Sequence, residues 1–495
     1  MAAATVAALL AQAPADAATT ASRWCGPRTS PGAASALSEA ASAAQHRPRV
    51  IISSDGEIDD QASFHRFLLY TNDLDVEGIT LSSSRFHWAG NGSTIPAHNW
   101  RGTTWTTDMI NGGYARAYPE LVRHDRRYPK PADLVAIERV GNIENVGDMA
   151  ADTPASDLMK RKLLDDEPGP LWLDVWGGTN TVARALKSIQ DQYQGTPEWP
   201  FVYRKVSDKA VIYIILDQDT TYKDYIAENW PDVRVIMNNE QFEPFAYKWK
   251  SRVPGALQTY FQGPWMTENI VRGPLNQDYP VGPRRAGGVD FGPGEFVSEG
   301  DSPSFFQHIP TGLRSAEDPA LGGWAGRFVQ VGPRLWTDKP SYLGRPGDQV
   351  TDLNPDTGQK DKSYPQARWT ADLQNDFAAR VDWTTADRYD QANHRPVAYV
   401  PPGLRDIGVK PGQTVHLRGV TADPDGNTRT CTWWQYQEAG SYPGVVTLTG
   451  ATGGHPSFVV PEDAKRGQRI HIVFQVTDTG TPPLTSYQRV IATVR

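Results

Sequence analysis

The chain has 495 residues, 39% of them hydrophobic, and a formal charge of −8, which is long enough for two or three domains with separate cores. The negative balance argues against a nucleic-acid partner, whose phosphates need a basic surface. No apolar run of about 18 residues is present to cross a membrane. The 44 Gly and 39 Pro imply many long loops, and the 16 Trp and 19 Tyr suit sugar stacking as well as core packing.

Residues 1–21 are Ala-rich around Val6–Leu10, with Ala13-Pro14-Ala15 and Ala15-Asp16-Ala17 as small-x-small cleavage sites. They read as the tail of a signal peptide, although no positive charge precedes the apolar stretch, and they predict a secreted protein. An Ala/Ser-rich lead-in follows over 33–45, so residues 1–46 are assigned to no domain. Two cysteines, Cys25 and Cys431, are too few for a disulfide scaffold. A bridge between them would tie the N-terminal arm to the last domain.

The α/β domain spans 47–394. Its first element, Val50-Ile51-Ile52-Ser53-Ser54, is a β-branched apolar run that fits a buried parallel strand. It ends in Asp55-Gly56-Glu57-Ile58-Asp59-Asp60, four carboxylates in six residues. Asp59 or Asp60 can cap the helix that Phe64, Phe67 and Leu68 mark by their spacing. Acids at the carboxyl end of such a strand stand where open α/β sheets hold ligands. Their mutual repulsion calls for protons or a hard cation such as Ca²⁺.

The strand over 75–84 leads into a long loop, 86–105, with His87, Trp88, Asn91, His98, Asn99, Trp100 and Trp105. Aromatic and amide residues there suit a carbohydrate wall or a self-packed surface loop. A helix over 109–125 and a polar glycine turn over 140–147 precede Leu171–Val175, whose Gly177-Gly178 turn opens a helix near Asn180. A buried strand over 211–216 and a short one over 233–236 extend the sheet. The late acidic turn Glu299-Gly300-Asp301 starts a helix, a polar connection covers 337–365, and a helix covers 374–383. From Arg395 to Arg495 alternating apolar strands, separated by turns such as Asp423-Pro424-Asp425-Gly426, predict an immunoglobulin- or cadherin-like β-sandwich of about 100 residues. Asp423 and Asp425 suit either calcium or ordinary turn chemistry. Trp433 and Trp434 must face opposite ways in a strand, leaving one exposed ring at most.

The spacing Asp55-(x)3-Asp59-Asp60 after an apolar strand resembles the aspartate signature of the nucleoside hydrolases. With Gln61 and Phe67-Leu68-Leu69-Tyr70 it more closely resembles the secreted proteins called cellulose-binding or nucleoside hydrolase-like, which carry a β-rich C-terminal domain. The resemblance implies a mostly parallel sheet flanked by helices, and a calcium ion held by Asp55, Asp60, Asp301 and a backbone carbonyl at Val175 or Trp176. It also implies Asp55 as the base that takes a proton from water, and Asp59 on a sugar hydroxyl. Ser84 or Arg85 stands where the family brings a ribose-binding Asn, and Glu57, His87, Trp88 and Asn180 complete the implied substrate contacts. The sequence departs from the family pattern at Ser53, where the family has its first Asp, and at Gly56-Glu57, where it has Pro-Gly. Gly300 replaces a His that in several members protonates the leaving base.

The leading expectation is therefore a secreted Ca²⁺-dependent glycoside or N-glycoside hydrolase acting on a furanosyl or related bond. The alternative is a non-catalytic protein that binds cellulose or another plant polysaccharide on a hydrolase-like scaffold. A third reading makes the acidic turn a fold-stabilising calcium site only. In the first two readings the partner is a carbohydrate or nucleoside-like molecule.

Overall fold

The structure, a computed structural model, describes residues 47–495. The expected signal segment and Cys25 lie outside the described residues, whereas Cys431 is disulfide-bonded. The central sheet is built from β1 (Arg49–Ser54), β2 (Asp75–Leu81), β3 (Glu138–Val140), β4 (Leu171–Val175), β5 (Ala210–Ile215), β6 (Arg234–Asn238), β7 (Val329–Gly332) and β8 (Leu335–Thr337). Their order is β3-β2-β1-β4-β5-β6-β8-β7. All neighbours are parallel except the β7–β8 edge pair. The last two strands fall in stretches without a strong apolar run, and the sequence did not mark them.

Alternation explains how two layers of helices cover this sheet. Val50 and Ile52 of β1 pack into one core together with Phe64, Phe67 and Leu68 of α1 (Ile58–Tyr70). Ile51 points the other way, into a core shared with Val182, Leu186 and Ile189 of α2 (Asn180–Tyr193). Every residue of β1, β4 and β5 is buried, as expected for strands covered on both faces. Because β2 follows β1 on one side and β4 lies on the other, the chain direction of winding reverses between β1 and β4. The acidic turn leaves β1 at this switch point, the place where open sheets leave a crevice at their carboxyl ends.

The C-terminal strands β9 (Asp406–Val409), β10 (Arg429–Gln435), β11 (Arg469–Asp478) and β12 (Thr485–Val494) form a sheet in the order β9-β12-β11-β10. Short pairs at 397–399 with 420–422 and 414–416 with 457–459 supply the facing layer, and a separate core fills the space between. Trp433 stacks on Phe474 inside that core. Trp434 faces outward as expected, but it is not free. It packs near Trp369 and under the Arg368 guanidinium, against the α/β domain. Tyr436 and Tyr487 join the same contact, Tyr436 Oη donating to Asp352 at 2.7 Å. Asp423 and Asp425 do turn chemistry: Asp423 Oδ1 accepts the Asp425 and Asn427 amides, and Asp425 accepts from His394.

Candidate functional site

Gly56, with φ +80°, lets the chain turn sharply off β1, so α1 begins at Ile58. The residue capping it is Glu57, with no side-chain bond. Asp59 and Asp60, expected as caps, instead lie within the first turn and face a cavity. Asp60 reaches back: its Oδ1 accepts the Ser54 hydroxyl at 2.5 Å and the Asp55 amide at 3.1 Å. From the far end of the chain, Asp301 arrives at the start of α3 (Ser302–Phe306). One carboxylate oxygen each from Asp59, Asp60 and Asp301 lie within 4.8 Å of one another.

Two ties fix that meeting. Arg66, one face along α1, is fully buried and ion-paired with Glu299, while Glu299 also accepts the Ser302 hydroxyl at 2.8 Å. The helix that carries Asp59 and Asp60 thus holds the turn that carries Asp301. Gly300 matters through contact rather than φ, since a Cβ there would stand 2.7 Å from Asp59 Oδ2. A side chain at this position, such as the histidine of several nucleoside hydrolases, requires the Asp59 carboxylate to move aside.

Electrostatically the cluster is uncompensated. Among the described ion pairs no lysine or arginine reaches Asp55, Asp59, Asp60 or Asp301; the only cationic neighbour is His87, Nδ1 at 3.5 Å from Asp55 and 3.8 Å from Glu57. Burial, and then the negative charge of the neighbouring acids, pushes Asp59, Asp60 and Asp301 well above the usual carboxylate range, and Glu57 upward as well. Burial pulls the His87 imidazole down, but the adjacent Asp55 and Glu57 more than offset it and leave it raised. Buried oxygens of Asp55 and Asp301 accept no hydrogen bond. Clustered carboxylates with orphaned oxygens and no Cys or His among the trio suit a hard cation with oxygen ligands.

The cluster floors a cavity of about 300 Å³. Its lining includes Glu57, Asp59, Asp60, Phe86, Trp176, Leu216, Gln218, Phe242, Tyr247, Lys248 and Gly287, with Asp301. Tyr247, Phe242 and Lys248 come from a segment after β6 that carries no sequence signal of its own. Leu216, just past the end of β5, has φ +61°, a strained backbone for a leucine, and lines the cavity.

The remaining expected contacts separate. Asn180 is fully buried and its side chain is spent internally, Nδ2 on Ser83, Asn142 and Asp148 and Oδ1 on Ser82. Ser84 is equally buried, its Oγ accepting the Phe86 and His87 amides and so shaping the loop. Arg85 is exposed and lies over Phe86. Trp88 stacks on His98 at 4.4 Å and donates to Pro96, the self-packed form of that loop. None of these four lines the cavity. Val175 pairs in register with Ser53 and Ile214, and the next carbonyl, that of Trp176, accepts from Gln218 at 2.6 Å.

Residues 49–328 match the family described as "Cellulose-binding Sde182, nucleoside hydrolase-like domain", and 414–494 match "Cellulose-binding protein Sde0182, C-terminal domain". The chain belongs to this family. Its fold agrees at TM-score 0.71 and 27% identity with a nucleoside hydrolase-related hypothetical protein from Saccharophagus degradans that is associated with carbohydrate metabolism. The match covers 91% of this chain and all of that one. The type III effector XopQ, solved with adenosine diphosphate ribose, matches at TM-score 0.30 and 12% identity over 70% of this chain and 99% of its own. Among curated proteins no sequence match was found. The nucleoside hydrolase-like scaffold and the sandwich expected from the sequence are thus both present.

Proposed function

We propose that this protein is a secreted, calcium-dependent glycosidase that cleaves a furanosyl or related glycosidic bond in plant or microbial polysaccharide. The observation that carries the proposal is the meeting of Asp59, Asp60 and Asp301 in one cavity floor, with a buried Asp301 oxygen left without a partner. Those three side chains hold the ion, and a bound calcium supplies a charge on which sugar hydroxyls and water are oriented. Asp59, expected only on a sugar hydroxyl, thereby joins the metal ligands. Asp55, whose carboxylate lies 3.5 Å from His87 Nδ1 and just outside the cavity lining, is the base that accepts a proton from water. Glu57, held by Tyr247 Oη at 2.8 Å, presents its carboxylate to the sugar.

A second reading is favoured by one observation, the absence of an acid at position 300. With no group there to protonate a leaving atom, the same cavity serves a carbohydrate-binding protein, in keeping with the cellulose-binding name of the family. A screen of aryl furanosides, aryl pyranosides and nucleosides, with and without chelator, separates the two. The glycosidase reading expects chelator-sensitive hydrolysis that falls about 10²–10⁴-fold in Asp55→Asn. Oligosaccharide binding without turnover establishes the binding protein instead.

A further inference from the structure

We infer that the cavity takes one terminal sugar rather than an internal stretch of polysaccharide, and that Tyr247, seated under the Gly287-Gly288 hairpin, is the residue that closes it. The inference rests on the carbohydrate reading above and narrows its substrate to chain ends. It begins with size. A cavity of about 150 Å³ takes one benzene, so a cavity of about 300 Å³ is of the size of one pentose or hexose. A second ring would lie beyond the mouth, outside this space.

The walls explain why the space ends where it does. Trp176 and Ile215 are buried beneath the cavity, and Phe86, Lys248 and Gly287 are the exposed residues at its mouth. Between them Tyr247 spans from the segment after β6 to the acidic turn, its hydroxyl bonded to Glu57. The ring is prevented from swinging outward. Gly287 (φ +54°) and Gly288 (φ +79°) join the short strands Arg284–Ala286 and Val289–Phe291 as a two-residue turn with both residues left-handed, the type I′ form. A Cβ on Gly287 would stand 2.4 Å from Tyr247 Cγ, so the glycine lies flat against the ring. The hairpin is itself braced, because Lys250 donates to the Asp290 carbonyl at 3.0 Å and pairs with Glu295 at 2.6 Å. Apolar walls over an acidic floor match a sugar's two kinds of surface, its C–H face and its hydroxyls.

The test uses the full chain with calcium, titrated with methyl glycosides of arabinofuranose, xylose and glucose and with their linear oligomers from dimer to hexamer. Saturation-transfer NMR reports which ring touches the protein. The expected result is an affinity that changes by less than about threefold from the best methyl glycoside to its hexamer, well under the tenfold that 1.4 kcal/mol of added contact gives, with saturation confined to a terminal ring. Tyr247→Ala should open the wall, so that longer oligomers gain over the monomer, while Tyr247→Phe keeps the wall and the chain-end preference. If wild-type affinity climbs about tenfold or more with chain length and saturation spreads over internal rings, the single-sugar pocket is wrong although the carbohydrate reading stands. If no sugar in the series binds, both fall together.

Discussion

Two buried acid clusters in this protein are treated in opposite ways. At the base of α4 (Thr370–Trp383), Asp376 faces Arg380 at 3.0 Å and is also paired with Arg395, and Arg380 reaches Asp73 as well. Burial pushes the Asp376 carboxyl up, yet the two guanidinium charges outweigh it and hold it well below the usual range. At the cavity floor Asp60 and Asp301 are buried and Asp59 is half-buried, none has such a partner, and all three are driven up. The difference teaches where to look for a ligand. Three acids left without a cationic partner at a crevice could hold a cation from outside.

The largest effects should come from substitutions that make the two clusters alike. Arg380→Ala takes one of two guanidinium partners from Asp73, which keeps Arg127, and from Asp376, which keeps Arg395, so chemical unfolding should show a loss of about 3 kcal/mol. Asp301→Asn should do the reverse in metal-free protein, leaving stability unchanged or raised, because it removes one of several like charges. If both substitutions destabilise the metal-free protein equally, the floor acids are structural and the contrast fails.

Calcium provides the next largest effect. At about one hundred times its dissociation constant the ion should stabilise wild type by about 2.7 kcal/mol, seen as a rise in Tm that chelator reverses. Asp301→Asn should lose most of that rise, and magnesium or zinc at the same concentration should give less. A Tm insensitive to calcium removes the cation from the site.

A smaller effect concerns two neutral histidines, one on α1 and one in the sandwich. Burial pushes His65 of α1 down to about 4 and His471 of β11 down to about 3, against about 6.5 in the unfolded chain. Because the folded values lie below the unfolded one, this stability is complete above pH 6.5 and is lost as pH falls through the folded values. At pH 5.5 each costs about 1.4 kcal/mol. His65→Gln should flatten the decline in Tm between pH 6.5 and 4, and a pH dependence identical to wild type would speak against it. The smallest effect expected is that of Gly300→Ala: fold and Tm should persist, while the displaced Asp59 oxygen weakens calcium binding a few-fold in a calorimetric titration.

Much of this was legible in the sequence, and the reason is locality. The apolar run of β1, the four acids that follow it and the Gly177-Gly178 turn are short patterns whose meaning depends on strand and helix periods, and they announced the parallel sheet and the strand end at which the acids gather. Alternation after Arg395 likewise announced the sandwich, and the opposite facing of Trp433 and Trp434 followed from the pleat. What the sequence left open depends on residues far apart in the chain. Ser84, Trp88 and Asn180 suit a binding loop by type, but only the fold shows their polar groups and rings occupied internally. Trp434 became a domain contact because Trp369, from another domain, came to meet it. The unmarked Tyr247 entered the site because the hairpin near 287 and Glu57 both close on it. Periodicity fixes which elements form and which way their side chains point; which of those side chains remain unsatisfied, and so available for chemistry, is decided only when distant elements pack together.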